Sequence, residues 1–139
     1  MIPRTSRTNR LGSLFAAALL AACVFPAAAS AQSADEIFGR IERHWQSSDG
    51  DSIARHFDAQ VLVGIGAPAQ MAGRGIAAGM LRNFLGNVDV QGARSLEIEG
   101  LSCVYELRYF DGSRDRTSQV FVSLVQTTEG LRINRLRVQ

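Results

Sequence analysis

From Ser33 onward the apolar residues fall at helical spacing. Ile37, Phe38, Ile41 and Trp45 share one face of a helix, while Arg40, Glu42 and Arg43 take the other. Its start is marked by Ser33-Ala34-Asp35-Glu36, a capping box in which the serine hydroxyl accepts from an early amide and the glutamate reaches back. Ser48-Asp49-Gly50-Asp51 interrupts the pattern, and Asp49 or Asp51 can cap a short second helix carrying Ile53, Ala54 and Phe57. The run Gln60–Ile65, QVLVGI, is apolar almost throughout and predicts a strand buried on both faces, ended in a loop by Gly64, Gly66 and Pro68. Helical spacing returns from Arg74 with Ile76, Met80, Leu81, Phe84 and Leu85, and Gly86-Asn87 supplies the stop.

After Asp89 the period changes to two. Arg94–Glu99 alternates with Leu96 and Ile98 inward, and Leu101–Phe110 places Leu101, Cys103, Tyr105, Leu107 and Tyr109 on one face. Asp111-Gly112-Ser113 is a turn, Gln119–Thr127 a largely apolar strand, Glu129-Gly130 another turn, and Leu131–Val138 a last strand. The expected order is helix, helix, strand, helix, then a four-stranded meander. That is an α+β domain, three helices in the N-terminal half packed on one face of a curved, mostly antiparallel sheet.

The residues before Ser33 follow a different logic. Arg4, Arg7 and Arg10 precede the uncharged apolar run Leu11–Phe25, and Pro26 leads to Ala29-Ser30-Ala31, so residues 1–31 are expected to be a signal peptide and residues 32–139 the folded domain. An uncleaved anchor is the less favoured alternative, because the segment is alanine-rich and ends in small residues. Leu20-Ala21-Ala22-Cys23 also fits a lipobox, in which Cys23 would be acylated and the domain held on a bacterial membrane. Val24, Phe25 and Pro26 argue against it, since they continue the apolar run where a polar tether would begin. The expected location is therefore periplasmic or secreted.

Removing the leader changes the electrostatics. The whole chain carries 15 basic and 13 acidic residues, but three arginines lie in residues 1–31, leaving a domain of net charge −1. Neither nucleic acid nor an anionic membrane is then an expected partner, and a membrane enters only through lipidation of Cys23. Every basic residue is arginine, which excludes Schiff-base chemistry by a lysine amine. Cys103 is the single cysteine after residue 31 and has no intrachain partner.

The stretch Asp49–Phe57, with its Gly-Asp, Ile-Ala and Phe followed by QVLVGI, resembles the opening of the nuclear transport factor 2-like superfamily, which also holds SnoaL-like and ketosteroid-isomerase-like domains. Gly73-Arg74-Gly75-Ile76 through Phe84-Leu85 is similar to its third helix, and the ending GLRINRLRVQ to its last strand. Within the superfamily the chain resembles most an exported bacterial branch known only as a domain of unknown function. The resemblance implies a cone-shaped sheet curled around the helices. Members use the cone's pocket as an active site, as a ligand site or not at all, and often dimerise through the sheet.

An isomerase or dehydratase reading needs a base and an oxyanion donor in the cone. Tyr105 and Tyr109 supply donors, and His44, beside Trp45, is the best base; His56 is expected at a helix boundary. Glu97, Glu99 and Glu106 alternate out of phase with the inward residues, so the inward carboxylates of ketosteroid isomerases are not evident. A ligand pocket would be lined by Trp45, Met80, Phe84, Cys103 and Phe121. No metal ligand spacing occurs, and no cofactor is expected. Arg132, Arg135 and Arg137 could hold an anion, or be the charges that protect a solvated strand edge. The favoured expectation is an exported non-catalytic domain that binds a small apolar ligand or a protein partner through the cone or the sheet face. The alternatives are the enzyme and a purely structural homodimer.

Overall fold

The computed structural model describes residues 32–139; the signal-peptide and Cys23 readings fall outside the described residues. In chain order the elements are α1 (Ala34–Gln46), α2 (Gly50–Ala54), β1 (Phe57–Ile65), β2 (Gln70–Gly73), α3 (Arg74–Gly86), β3 (Asp89–Glu99), β4 (Ser102–Phe110), β5 (Asp115–Thr127) and β6 (Gly130–Val138). Both predicted N-caps form through their own side chains: Ser33 Oγ accepts from the Glu36 amide at 3.2 Å, the serine half of the expected box, and Asp49 Oδ1 from the Ser52 amide at 3.1 Å. None of the described helices is long and apolar enough to cross a membrane.

The six strands form one sheet in the order β2-β1-β6-β5-β4-β3, antiparallel except where β1 meets β6. Breaks in register at Val90/Gly92, Ser95/Glu97, Ser123/Leu124 and Phe57/Leu62 bend the strands and curl the sheet. The core fills the space between the helices and one face of this sheet. It holds Ile37, Phe38, Ile41 and Trp45 from α1, Leu81 and Leu85 from α3, and Cys103, Tyr105, Leu107, Val120, Val122 and Leu136 from the strands.

The structure departs from the sequence expectations at six places. Phe57 opens β1 instead of closing α2, and β1 is buried mainly on one side through Phe57, Val61 and Val63, with Gln60 exposed and Leu62 half-buried. The loop after β1 contains a short strand, β2, that makes a hairpin with it. In α3 the buried stripe is Ala77, Leu81 and Leu85, so neighbouring Ile76 turns to solvent and is 67% exposed. In β3 the register break isolates Leu96, and Ile98, although paired with Cys103, stays 43% exposed on this outermost strand. Finally, Leu101 belongs to the β3–β4 turn rather than to the inward row of β4. The last strand, β6, lies inside the sheet between β1 and β5, so its arginines guard no edge.

Candidate functional site

α1 ends in Arg43-His44-Trp45-Gln46, and the tight link to α2 brings His56 back against it. The imidazole rings of His44 and His56 lie 6.3 Å apart, tilted by 34°. His56 is anchored by its backbone, its carbonyl accepting from the Ile133 amide at 2.6 Å. Burial holds its pKa below the ordinary 6.5, and the neighbouring positive charges of His44, Arg132 and Arg40 push the same way.

The tyrosines are elsewhere and already engaged. Tyr105 is fully buried and its hydroxyl donates to the Phe38 carbonyl of α1 at 2.9 Å. Tyr109 shares a hydrogen bond with Ser118 Oγ at 3.0 Å and meets the Phe84 ring edge-on, centroids 5.5 Å apart. The sequence-predicted catalytic set of His44, Tyr105 and Tyr109 is thus divided among three sets of partners. Cys103 lies beside Tyr105 in the core, where burial pushes its thiol up to about 11. At 1% exposure its side chain packs as a small apolar group in the core.

The five expected pocket residues also part company. Trp45 and Cys103 are packed into the core, Trp45 with its indole Nε1 buried and unpartnered among the described residues. Met80 and Phe84 are half-buried at the core's margin. Phe121 sits on the opposite face of the sheet: its neighbours Val120 and Val122 point into the core, and alternation turns Phe121 outward. Glu97 and Glu99 are exposed as expected, and Glu106 pairs with Arg94 at 3.1 Å. Glu42, placed by its spacing on the solvent side of α1, instead accepts from Ser95 Oγ of β3 at 3.3 Å.

The outward face has a pattern of its own. Register places Arg137, Phe121, Val104 and Glu97 in one row across β6, β5, β4 and β3, and Arg135, Ser123, Ser102 and Glu99 in the next. A cleft of about 330 Å³ runs between these rows, bordered by Phe121, Val104, Arg135 and Arg137. Among the described residues all three helices pack on the other face. The rows pass from cationic at β6, through an apolar centre at β5 and β4, to anionic at β3.

A curved antiparallel sheet wrapped on three helices from the N-terminal half defines the nuclear transport factor 2-like fold. Neither a protein-family model nor a curated protein sequence matches the chain. Solved structures do share the fold. A DUF4783 family protein from Bacteroides fragilis is 15% identical, with 70% of this chain and 92% of that one covered and a TM-score of 0.57. An NTF2-like protein of unknown function from Cytophaga hutchinsonii is 7% identical, covering 80% of this chain and 92% of that one with a TM-score of 0.59. A de novo designed protein with a curved β-sheet is 16% identical, covers 76% and 83%, and has a TM-score of 0.55. At such identities the likeness establishes architecture and carries no chemistry across.

Proposed function

We propose that this chain is an exported, non-catalytic binding domain that works through its open sheet face, and that the surface it meets is a second copy of itself. The observation that carries the reading is the cross-sheet row Arg137–Phe121–Val104–Glu97 with its neighbour Arg135–Ser123–Ser102–Glu99. A two-fold axis running between β5 and β4 sets β6 of one copy over β3 of the other, and β5 over β4. Each arginine pair then faces the other copy's glutamate pair, and each Phe121 ring meets the other copy's Val104 at the centre. An interface residue of this kind, a central aromatic ringed by charges, is where binding energy concentrates.

The non-catalytic part of the reading is supported by the engagement of both tyrosine hydroxyls within the domain, which leaves His44 without a donor opposite it. Export is supported by the arginines and apolar run of residues 1–31. The test uses the full chain expressed in a bacterial host and purified as the cell processes it. Sedimentation velocity should give a dimer, Phe121→Asp should give a monomer, and Arg137→Glu should weaken association that Glu97→Arg in the same chain restores. A wild-type protein that stays monomeric into the high-micromolar range overturns the second-copy reading. Intact mass of the same sample reads the leader: a start at Gln32 supports free export, and an acylated Cys23 replaces it with a membrane tether.

A further inference from the structure

We infer that the helix-bearing side of the domain holds an anion site, a cleft built from Arg55, Arg74, Arg82 and Arg132 that takes a phosphate-type oxyanion carrying at least two negative charges. The four arginines come from separate parts of the chain: the residue after α2, the first residue of α3, two turns further along α3, and β6. They border one cleft of about 490 Å³, whose remaining walls are Asp51, Ala54, Gly75 and Ala78. A third of the twelve arginines after residue 31 thus share a single depression, in a domain whose net charge is −1. Like charges are costly to gather, and a surface that merely needs solubility spreads them.

The local geometry suits a bound ligand better than solvation alone. Arg132 is fixed by a hydrogen bond from Nη1 to the Arg55 carbonyl at 2.9 Å, its Nε is buried without a partner among the described residues, and its Nη2 reaches Glu129 only at 3.5 Å. Arg82 donates to Asp51 at 3.0 Å, so one of the four charges is answered inside the cleft. Arg55 and Arg74 make no side-chain ion pair within the described residues. On α3 Arg74, Ala78 and Arg82 are spaced four residues apart along one face, so the small Ala78 side chain separates the two arginine positions in the cleft lining. The planar fork of arginine presents paired N–H donors to such oxyanions, and several forks around one depression select for multiple charge over chloride or a single carboxylate. The site does not involve Phe121 or the sheet rows, so it stands or falls separately from the dimer.

The experiment titrates the host-processed protein with inorganic pyrophosphate by calorimetry at constant ionic strength. Saturable binding is expected, about tenfold weaker in Arg55→Ala/Arg74→Ala, unchanged in Arg114→Ala on the β4–β5 turn, and tighter in Asp51→Asn, which removes the cleft's own anion. If the double variant melts early, Arg74→Ala alone reads the same loss. A second arm distinguishes a free phosphate from a lipid headgroup: co-sedimentation with phosphatidylcholine vesicles containing phosphatidic acid, competed by pyrophosphate, assigns the headgroup, and its absence assigns the soluble ligand. No saturable heat, or equal affinity in the wild type and the arginine variants, overturns the proposal.

Discussion

Tyr105 of β4 donates its hydroxyl to the carbonyl of Phe38 in α1 at 2.9 Å, a bond between groups 67 residues apart in the chain. It ties the middle of the sheet to the first helix through a main-chain atom. The phenol is fully enclosed, and burial drives its pKa far above the ordinary value of 10, so it is permanently a donor. A tyrosine spent in this way fixes where α1 lies and cannot serve a substrate oxygen.

Replacing it tests that role. Tyr105→Phe keeps the ring and deletes one buried hydrogen bond, which should cost about 1–2 kcal/mol in denaturant-induced unfolding. Tyr109→Phe should cost less, because the Tyr109–Ser118 hydrogen bond lies at the edge of the core and the edge-on contact with Phe84 survives. An equal or larger loss at Tyr109 would show that the α1 bond is not the stronger tie.

The parts of the fold that could be read from sequence are those where one period runs unbroken. Ser33 and Asp49 cap the predicted helices, the α1 face from Ile37 to Trp45 is buried as spaced, and Cys103, Tyr105, Leu107 and Tyr109 alternate inward on β4. Where tertiary pairing decides, sequence falls silent. Gln70–Gly73 has no strand composition and becomes one by hydrogen bonding to β1. Leu96 loses its phase to a register break, and the adjacent positions Ile76 and Ala77 differ in burial because helix packing favours the stripe through Ala77 over the more apolar side chain. Phe121 lies in VFVSLV, where apolar residues occupy both faces and alternation gives no direction. The arginine cleft was the least legible, since its four residues are scattered between positions 55 and 132 and only the sheet and α3 gather them.

Gly64 marks a close approach that composition does not reveal. A Cβ built there would lie 3.0 Å from the Ala69 Cα and 3.1 Å from the Ala67 carbonyl oxygen, both backbone atoms of the β1–β2 connection. That hairpin closes over β1 because position 64 has no side chain. Gly64→Ala should therefore destabilise by about 1–3 kcal/mol, the usual cost of overpacking against atoms that cannot rotate away. Gly79→Ala is the internal contrast: it is helical, its Cβ would meet nothing within 4 Å, and it should stabilise by roughly 0.5–1 kcal/mol. Thermal melts of the two variants should move in opposite directions.

His56 gives the domain an acid-sensitive term whose sign follows from its surroundings. The folded-state pKa lies below the unfolded value of 6.5, first through burial and then through His44, Arg132 and Arg40. Above pH 6.5 both states hold the imidazole neutral, and the folded state bears no penalty. As the pH falls from there through the folded pKa, the unfolded chain takes up a proton that the folded one resists, so stability declines. Urea midpoints measured between pH 7.5 and 5 should drop for the wild type and drop less for His56→Gln, which cannot be protonated. Added salt should recover part of the loss, because it screens the three positive neighbours, and leave the part due to burial. A slope that is the same in the variant would place the acid sensitivity elsewhere; Asp49 and Asp111, whose hydrogen bonds to Ser52 and Arg116 hold their pKa values below 3.8, act in a window too acidic to imitate it.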